Sequence, residues 1–156
     1  MRRKDREITD RERILGIMAS CSCCRLGLID GDEPYIVPLN FGFETEEGNL
    51  VLYFHSASEG RKIDLIPRQS AVAFEMDTGH RLDGGEDACS YTFFYECVMG
   101  TGRIGIVDER EGKKHGLGII MEHYAGKRTW EYDDRLLDRV SVLKLEVDTI
   151  SCKVHC

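Results

Sequence analysis

Short apolar-rich runs bounded by turn residues recur along this chain, and one of them alternates polar and apolar positions with a period of two, the pattern of β-strands. Residues 23–29 read as a strand, broken by the turn Asp30-Gly31-Asp32. Residues 35–43 read as a second strand with Pro38 inside it, and a proline there marks an edge, a bulge or a place where the ladder opens. Residues 44–48 are polar and lead to a hairpin turn at Gly48-Asn49, ahead of a third strand over residues 50–55. A fourth strand is expected over residues 70–77, where Ala71, Ala73 and Glu75 alternate with Val72, Phe74 and Met76. Residues 78–88 read as a polar loop and residues 89–107 as a long β region bent at Gly100, Gly102 and Gly105. Residues 140–147 make a closing strand, followed by a ragged end.

Helical spacing interrupts this pattern. Thr9-x-x-Glu12 is a capping box, and behind it residues 10–20 place Ile14, Leu15, Ile17 and Met18 on one face. Asp108 can cap a second helix running to about residue 124, with Gly126 as its left-handed C′ residue. A short third helix is expected over residues 56–66, ended by Pro67. The result is a mainly β (α+β) fold of about six to seven antiparallel strands with flanking helices, and hairpin-linked strands at this spacing suggest a small barrel. The 156 residues fit a single domain spanning residues 1–156.

Composition narrows the classes. Hydrophobic residues make up 42% and charged residues 31%, a globular balance. A net charge of −7 argues against a nucleic-acid binder, which needs a basic face, but leaves room for one local anion site. Residues 1–13 have no apolar stretch behind their basic residues, and no apolar run is long enough to span a bilayer, so a cytoplasmic protein is expected. The seven cysteines are odd in number and lack framework spacing, so they read as thiols. Cys21, Cys23 and Cys24 with Cys152, His155 and Cys156 can be imagined as a metal set, but the paired C-x-x-C knuckles are missing and no metal is expected.

The segment with chemical content is Tyr53-Phe-His-Ser-Ala-Ser-Glu-Gly-Arg-Lys62. Ser56-x-x-Glu59 matches a capping box, which predicts a strand turning directly into a helix N-terminus at Ser56. Arg61 and Lys62 then stand at the end of the helix where the dipole disfavours cations by about 0.3–1 kcal/mol each, unless an anion sits between them. Arg supplies a planar fork and Lys a point charge, a pair suited to a phosphate monoester, and the Ser56 and Ser58 hydroxyls add donors. The same residues also describe a solvated helix start with surface basic residues. Glu96, Cys97 and Trp130 have ordinary packing or surface explanations, and Tyr35, Tyr91 and Tyr95 read as core or interface.

Taken in order, Pro34-Tyr-Ile-Val-Pro-Leu-Asn-Phe41, Leu52-Tyr-Phe-His-Ser-Ala57 and Gly60-Arg-Lys62 resemble the pyridoxamine 5′-phosphate oxidase-like FMN-binding split barrels, and within them the nitroimidazole-resistance branch. Met1-Arg-Arg-Lys-Asp-Arg-Glu-Ile8, Tyr95-Glu-Cys-Val-Met-Gly100 and His123-Tyr-Ala-Gly126 are similar to that branch as well. The resemblance implies a split β-barrel that holds FMN at a homodimer interface. It implies that Arg61 and Lys62 grip the FMN phosphate, and that His55 and Ser56 touch the flavin and its phosphate. Val37, Pro38, Leu39 and Asn40 match the strand beside the isoalloxazine ring, and Cys97 matches a flavin-contacting polar position. Asn40 stands where the oxidases have a lysine. The chain also ends Ser-Cys-Lys-Val-His-Cys156 where they end on Arg-Leu-x-Pro, so vitamin B6 oxidation is not implied.

Two function classes follow. One is an FMN-dependent oxidoreductase passing electrons from a nicotinamide donor to a small flat acceptor such as a nitroimidazole, with His55 as its catalytic proton donor or substrate contact. The other is a haem- or flavin-binding protein of the same fold without turnover, in which His115, His123 or His155 supplies an axial ligand. A structural protein with an empty site is a third, disfavoured by the cation pair. No membrane or nucleic-acid partner is expected.

Overall fold

Residues 3–156 are described in the computed structural model, so the first two residues of the basic opening run lie outside the described part. Along it follow β1 (Glu7–Ile8), α1 (Arg11–Ser20), β2 (Cys24–Asp30), β3 (Glu33–Leu39), β4 (Phe41–Glu46), β5 (Asn49–Ala57), α2 (Arg61–Leu65), β6 (Ala71–Asp83), β7 (Thr92–Val107), α3 (Arg110–Ala125), α4 (Asp134–Leu137) and β8 (Val140–His155). All strand pairs are antiparallel, in the order β3-β2-β6-β7-β8-β5-β4, with β1 added to the end of β8.

The two edge strands, β3 and β4, are consecutive in the chain and separated only by Asn40. A single residue can join opposite edges only if the sheet curls until they meet, so the sheet is a barrel left open along one seam. Its interior is filled by the inward rows of the strands, including Leu26, Leu52, Phe54, Phe74, Leu143 and Leu145, each almost fully buried. Each such side chain contributes about 1.5–3 kcal/mol when fully buried. A second cluster lies outside the barrel, where Val51, Tyr53 and Val142 meet Ile119 and Ile120 of α3. Central β5 is therefore covered on both faces, and residues 50–54 are all buried rather than alternating. Among the described residues no helix is long and apolar enough to cross a membrane.

Several expectations are corrected. Helix α1 is capped by Asp10, whose carboxylate accepts from the Arg13 backbone N–H at 2.8 Å, rather than by Thr9. The strand expected over residues 35–43 is two strands on opposite edges, which is why Pro38 is tolerated: it lies on edge strand β3. The hairpin turns at Glu47-Gly48, where φ is positive at both residues, one step earlier than Gly48-Asn49. β5 runs through Ser56 to Ala57, so Ser56 caps no helix; α2 starts at Arg61 behind Gly60, whose φ is 126°. The polar loop begins only after Asp83, since β6 continues past a register shift between Thr78 and Arg81. Asp108 does not cap α3, whose N-cap is Glu109. The tail is not ragged: β8 extends to His155 because β7 and β1 flank its last residues.

Candidate functional site

Residues 37–40 border the open seam and His55 and Ser56 lie on the neighbouring strand β5, while Arg61 sits against Asp30 and Tyr35 of the β2–β3 hairpin. Phe41 pairs with Phe54, so one rung further Asn40 stands beside His55. Pro38 is exposed on the outer face of β3, whereas Val37 and Leu39 turn inward against the core. Arg61, on the first turn of α2, donates from Nε to Asp30 Oδ2 at 2.7 Å and lies over the Tyr35 ring at 4.6 Å. These two contacts use one edge and one face of the guanidinium and leave the terminal nitrogens for another acceptor. Lys62 is half-buried and, among the described residues, makes no ion pair. With only five residues, α2 is too short for its dipole to hold an anion.

His55 and Ser56 do not share a face, because strand alternation sends them to opposite sides of β5. His55 is exposed and, among the described residues, is the one histidine with neither a side-chain hydrogen bond nor an ion pair. Ser56 points into the barrel mouth and is 8% exposed, with Ser141 of β8, also buried, directly opposite. Among the described residues only Ser56 Oγ and the Tyr132 hydroxyl are buried without a hydrogen-bond partner. Leaving such a group unsatisfied costs about 1–3 kcal/mol, so the Ser56 hydroxyl is a donor awaiting an acceptor. Ser141 was not singled out in the sequence, since only strand register brings it to Ser56.

Cys97 is not brought to this group. It lies on the outer face of β7, ten residues along the strand from Val107, which shares the rung of His55 and Val142. That is about 33 Å of strand. Its thiol donates to Glu75 Oε1 at 3.5 Å, and burial together with Glu75 and Asp77 pushes it up to about 12, so it stays protonated. Beside it a shallow trough of about 400 Å³ runs over the outer sheet, lined by Arg25, Gly27, Ile36, Ala73, Glu75 and Met99. Gly27 and Ala73 face each other as a flat floor, and Arg25 at one end is bound to Glu75 and Asp77 at 2.9 and 2.7 Å. Ile36 on the rim is 66% exposed, and Met99 is exposed as well.

The imagined cysteine–histidine metal set is not assembled. Cys21, Cys24 and Cys152 are buried with their thiols pushed up by burial, and the His155 ring meets Arg6 and the Phe93 carbonyl. Among the described residues Glu44, Glu46 and His115 alone cluster with ligating geometry, and both carboxylates already face cations. Glu44 contacts His115 and Arg128, while Glu46 accepts from Lys144 at 2.8 Å and from Tyr53 at 2.7 Å. The bonds from Lys144 and Tyr53 hold the Glu46 carboxyl below its ordinary value of 4.5. A carboxylate with a depressed folded-state pKa stabilises above its ordinary value and loses that contribution as pH falls through the folded value. Lys144→Met is therefore expected to be less stable than wild type at neutral pH, with the gap narrowing below about pH 4.5. Urea midpoints measured against pH check this; a gap unchanged down to about pH 3 would mean the pair adds no stability.

Residues 10–154 match the family model described as pyridoxamine 5′-phosphate oxidase. No curated protein is significantly similar. Among solved structures, a candidate 5-nitroimidazole antibiotic resistance protein from Bacteroides thetaiotaomicron is 36% identical, with a TM-score of 0.81 over 95% of this chain and 86% of that one. The fold also matches the FAD and haem binding protein of Mycobacterium smegmatis at 16% identity and TM-score 0.81, covering 96% of this chain and 73% of that one. A flavocytochrome of Azotobacter vinelandii matches at 19% identity and TM-score 0.79, covering 100% and 72%. With its seam-split barrel, the cations beside it and a match that runs almost end to end, the chain belongs to the pyridoxamine 5′-phosphate oxidase family.

Proposed function

We propose that this protein is an FMN-binding oxidoreductase that passes electrons from a nicotinamide donor to a small flat acceptor of the nitroimidazole kind. The observation that carries the reading is the buried, unpartnered Ser56 hydroxyl near the end of β5, followed at once by Arg61 and Lys62 at the start of α2, an all-donor set suited to a phosphate monoester. The 36% identical relative, a candidate 5-nitroimidazole resistance protein, supports the acceptor class.

FMN, when bound, supplies the hydride chemistry. The chain's own residues hold its phosphate, border its ring with the backbone of residues 37–40, and present His55, whose imidazole has no partner among the described residues, as a proton donor. Reduction of a nitro group to a nitroso group consumes the donor's hydride and one proton and releases water.

The active form in this reading is a homodimer. Cys97 is far from His55 within one chain, and a second copy bound over the exposed face around Ile36 and Met99 is what could bring the two groups to one cofactor. A cytoplasmic setting fits the seven unpaired cysteines. Haem binding is less well supported, because His115, His123 and His155 are each engaged: with Glu44, with the Cys21 carbonyl, and with Arg6 and the Phe93 carbonyl.

The test is reconstitution with FMN followed by nicotinamide-driven reduction of a nitroimidazole. A flavin spectrum with turnover is expected, and His55→Ala should bind FMN normally yet turn over about 100-fold more slowly. Flavin binding with no turnover on any nicotinamide donor would reject the oxidoreductase reading, and equal rates for wild type and His55→Ala would remove the histidine from it.

A further inference from the structure

The inward rows of β5 and β8 meet in three successive rungs: Leu52 with Leu145, Phe54 with Leu143, and Ser56 with Ser141. The first two rungs are fully buried apolar pairs, as the filling of a barrel requires. The third, at the mouth, is a pair of hydroxyls in a row where the pattern calls for apolar side chains, and local breaks of this kind concentrate at functional sites. Residues directly opposite on antiparallel strands carry side chains on the same face with Cβ atoms about 4.5–5.5 Å apart. At that separation two serines can bond each other, yet among the described residues Ser56 Oγ has no partner, so the two hydroxyls do not satisfy one another. Both hydroxyls are therefore open to a common third atom. Helix α2 follows β5 after residues 58–60, with Leu65 and Ile66 buried in the barrel core and Ile63 packed on it, so that Arg61 and Lys62 open the element that comes next after Ser56.

We propose that Ser141 is a further ligand of the phosphate site, so that hydroxyls from β5 and β8 together donate to one oxygen of a phosphate monoester whose charge Arg61 and Lys62 neutralise. The proposal rests on the FMN reading above and adds to it a residue from a strand remote in sequence. An anionic oxygen has the lone pairs to accept from both serines, and the adjacent cations favour it over the neutral oxygen of a trapped water.

Riboflavin and FMN differ only in the phosphate, so their relative affinities isolate this site. Affinities of both, from quenching of flavin fluorescence, are compared in wild type, Ser141→Ala and Ser141→Thr. Loss of one hydrogen bond to a charged group predicts about tenfold weaker FMN binding by Ser141→Ala. Riboflavin affinity should be unchanged and the apo-protein melting temperature not lowered. Ser141→Thr, which keeps the hydroxyl, should restore the preference for FMN. If Ser141→Ala keeps the wild-type ratio of the two affinities, the serine pair holds only water; the proposal is wrong and the FMN reading stands. If wild type itself binds FMN no better than riboflavin, the phosphate site fails and the role of Ser141 fails with it.

Discussion

Arg61→Ala combined with Lys62→Ala is expected to weaken FMN binding by about 100-fold or more while leaving riboflavin binding nearly unchanged. A hydrogen bond to a charged group contributes about 1.5–3 kcal/mol, and the double variant removes at least two, against 1.4 kcal/mol per factor of ten. The geometry makes Arg61 the larger contributor. Asp30 and the Tyr35 ring already hold its guanidinium, so little side-chain freedom is lost when a phosphate docks on the terminal nitrogens. Arg61 and Asp30 are both well exposed, at 48% and 39%, and a surface pair of this kind adds only about 0–1 kcal/mol of stability. The variant should therefore fold, and the thermal midpoint without flavin should barely move. Visible absorbance titrations with both flavins decide the matter. An unchanged preference for FMN would place the phosphate elsewhere on the protein.

Asp30 illustrates how far the sequence could be read. The cation pair was visible as a motif, but nothing in the local pattern says that a turn residue thirty-one positions away orients the arginine. Strand periodicity also located the barrel strands well, because rows such as Ala71, Ala73 and Glu75 against Val72, Phe74 and Met76 carry their own record of which face is buried. It failed where tertiary pairing overrides local signals. The polar residues 78–83 look like a loop and form a strand because β7 supplies partners, and the last residues of β8 are ordered by β1 and β7. Residues 35–43 form an unbroken β-like run, and only the edge positions of β3 and β4 show that the chain changes sides of the barrel at Asn40. The same limit hid Ser141, whose partner is chosen by register. It also concealed that His55 and Ser56, adjacent in the motif, serve opposite faces.

Gly42 is a second residue whose importance comes from packing alone, and Gly42→Val is expected to destabilise the protein by about 3 kcal/mol. No turn requires a glycine here, since Gly42 sits in β4 opposite Tyr53. Its reason is α3, whose backbone crosses directly above: a Cβ at Gly42 would lie 2.5 Å from the Ile119 carbonyl oxygen and 2.7 Å from the Ile120 nitrogen. Backbone cannot swing aside as a side chain can, so the helix must lift off the sheet. Lifting it exposes the cluster of Val51, Tyr53, Val142, Ile119 and Ile120. It also pulls on Tyr124, whose hydroxyl donates to the Ser22 carbonyl and accepts from the Phe41 N–H at the seam crossover. For a chain of this size a loss of about 3 kcal/mol lowers the melting temperature by about 10 °C. Gly116→Ala is the internal comparison: the atoms its Cβ would meet belong to the buried Val142 and Tyr53 side chains rather than to backbone, and the repacking they need is partly offset by alanine's helix preference of about 1 kcal/mol. Its loss should be nearer 1 kcal/mol. Urea denaturation of the two variants beside wild type separates the cases, and a Gly42→Val midpoint equal to that of wild type would mean that α3 is not held as closely to β4 as the backbone contact requires.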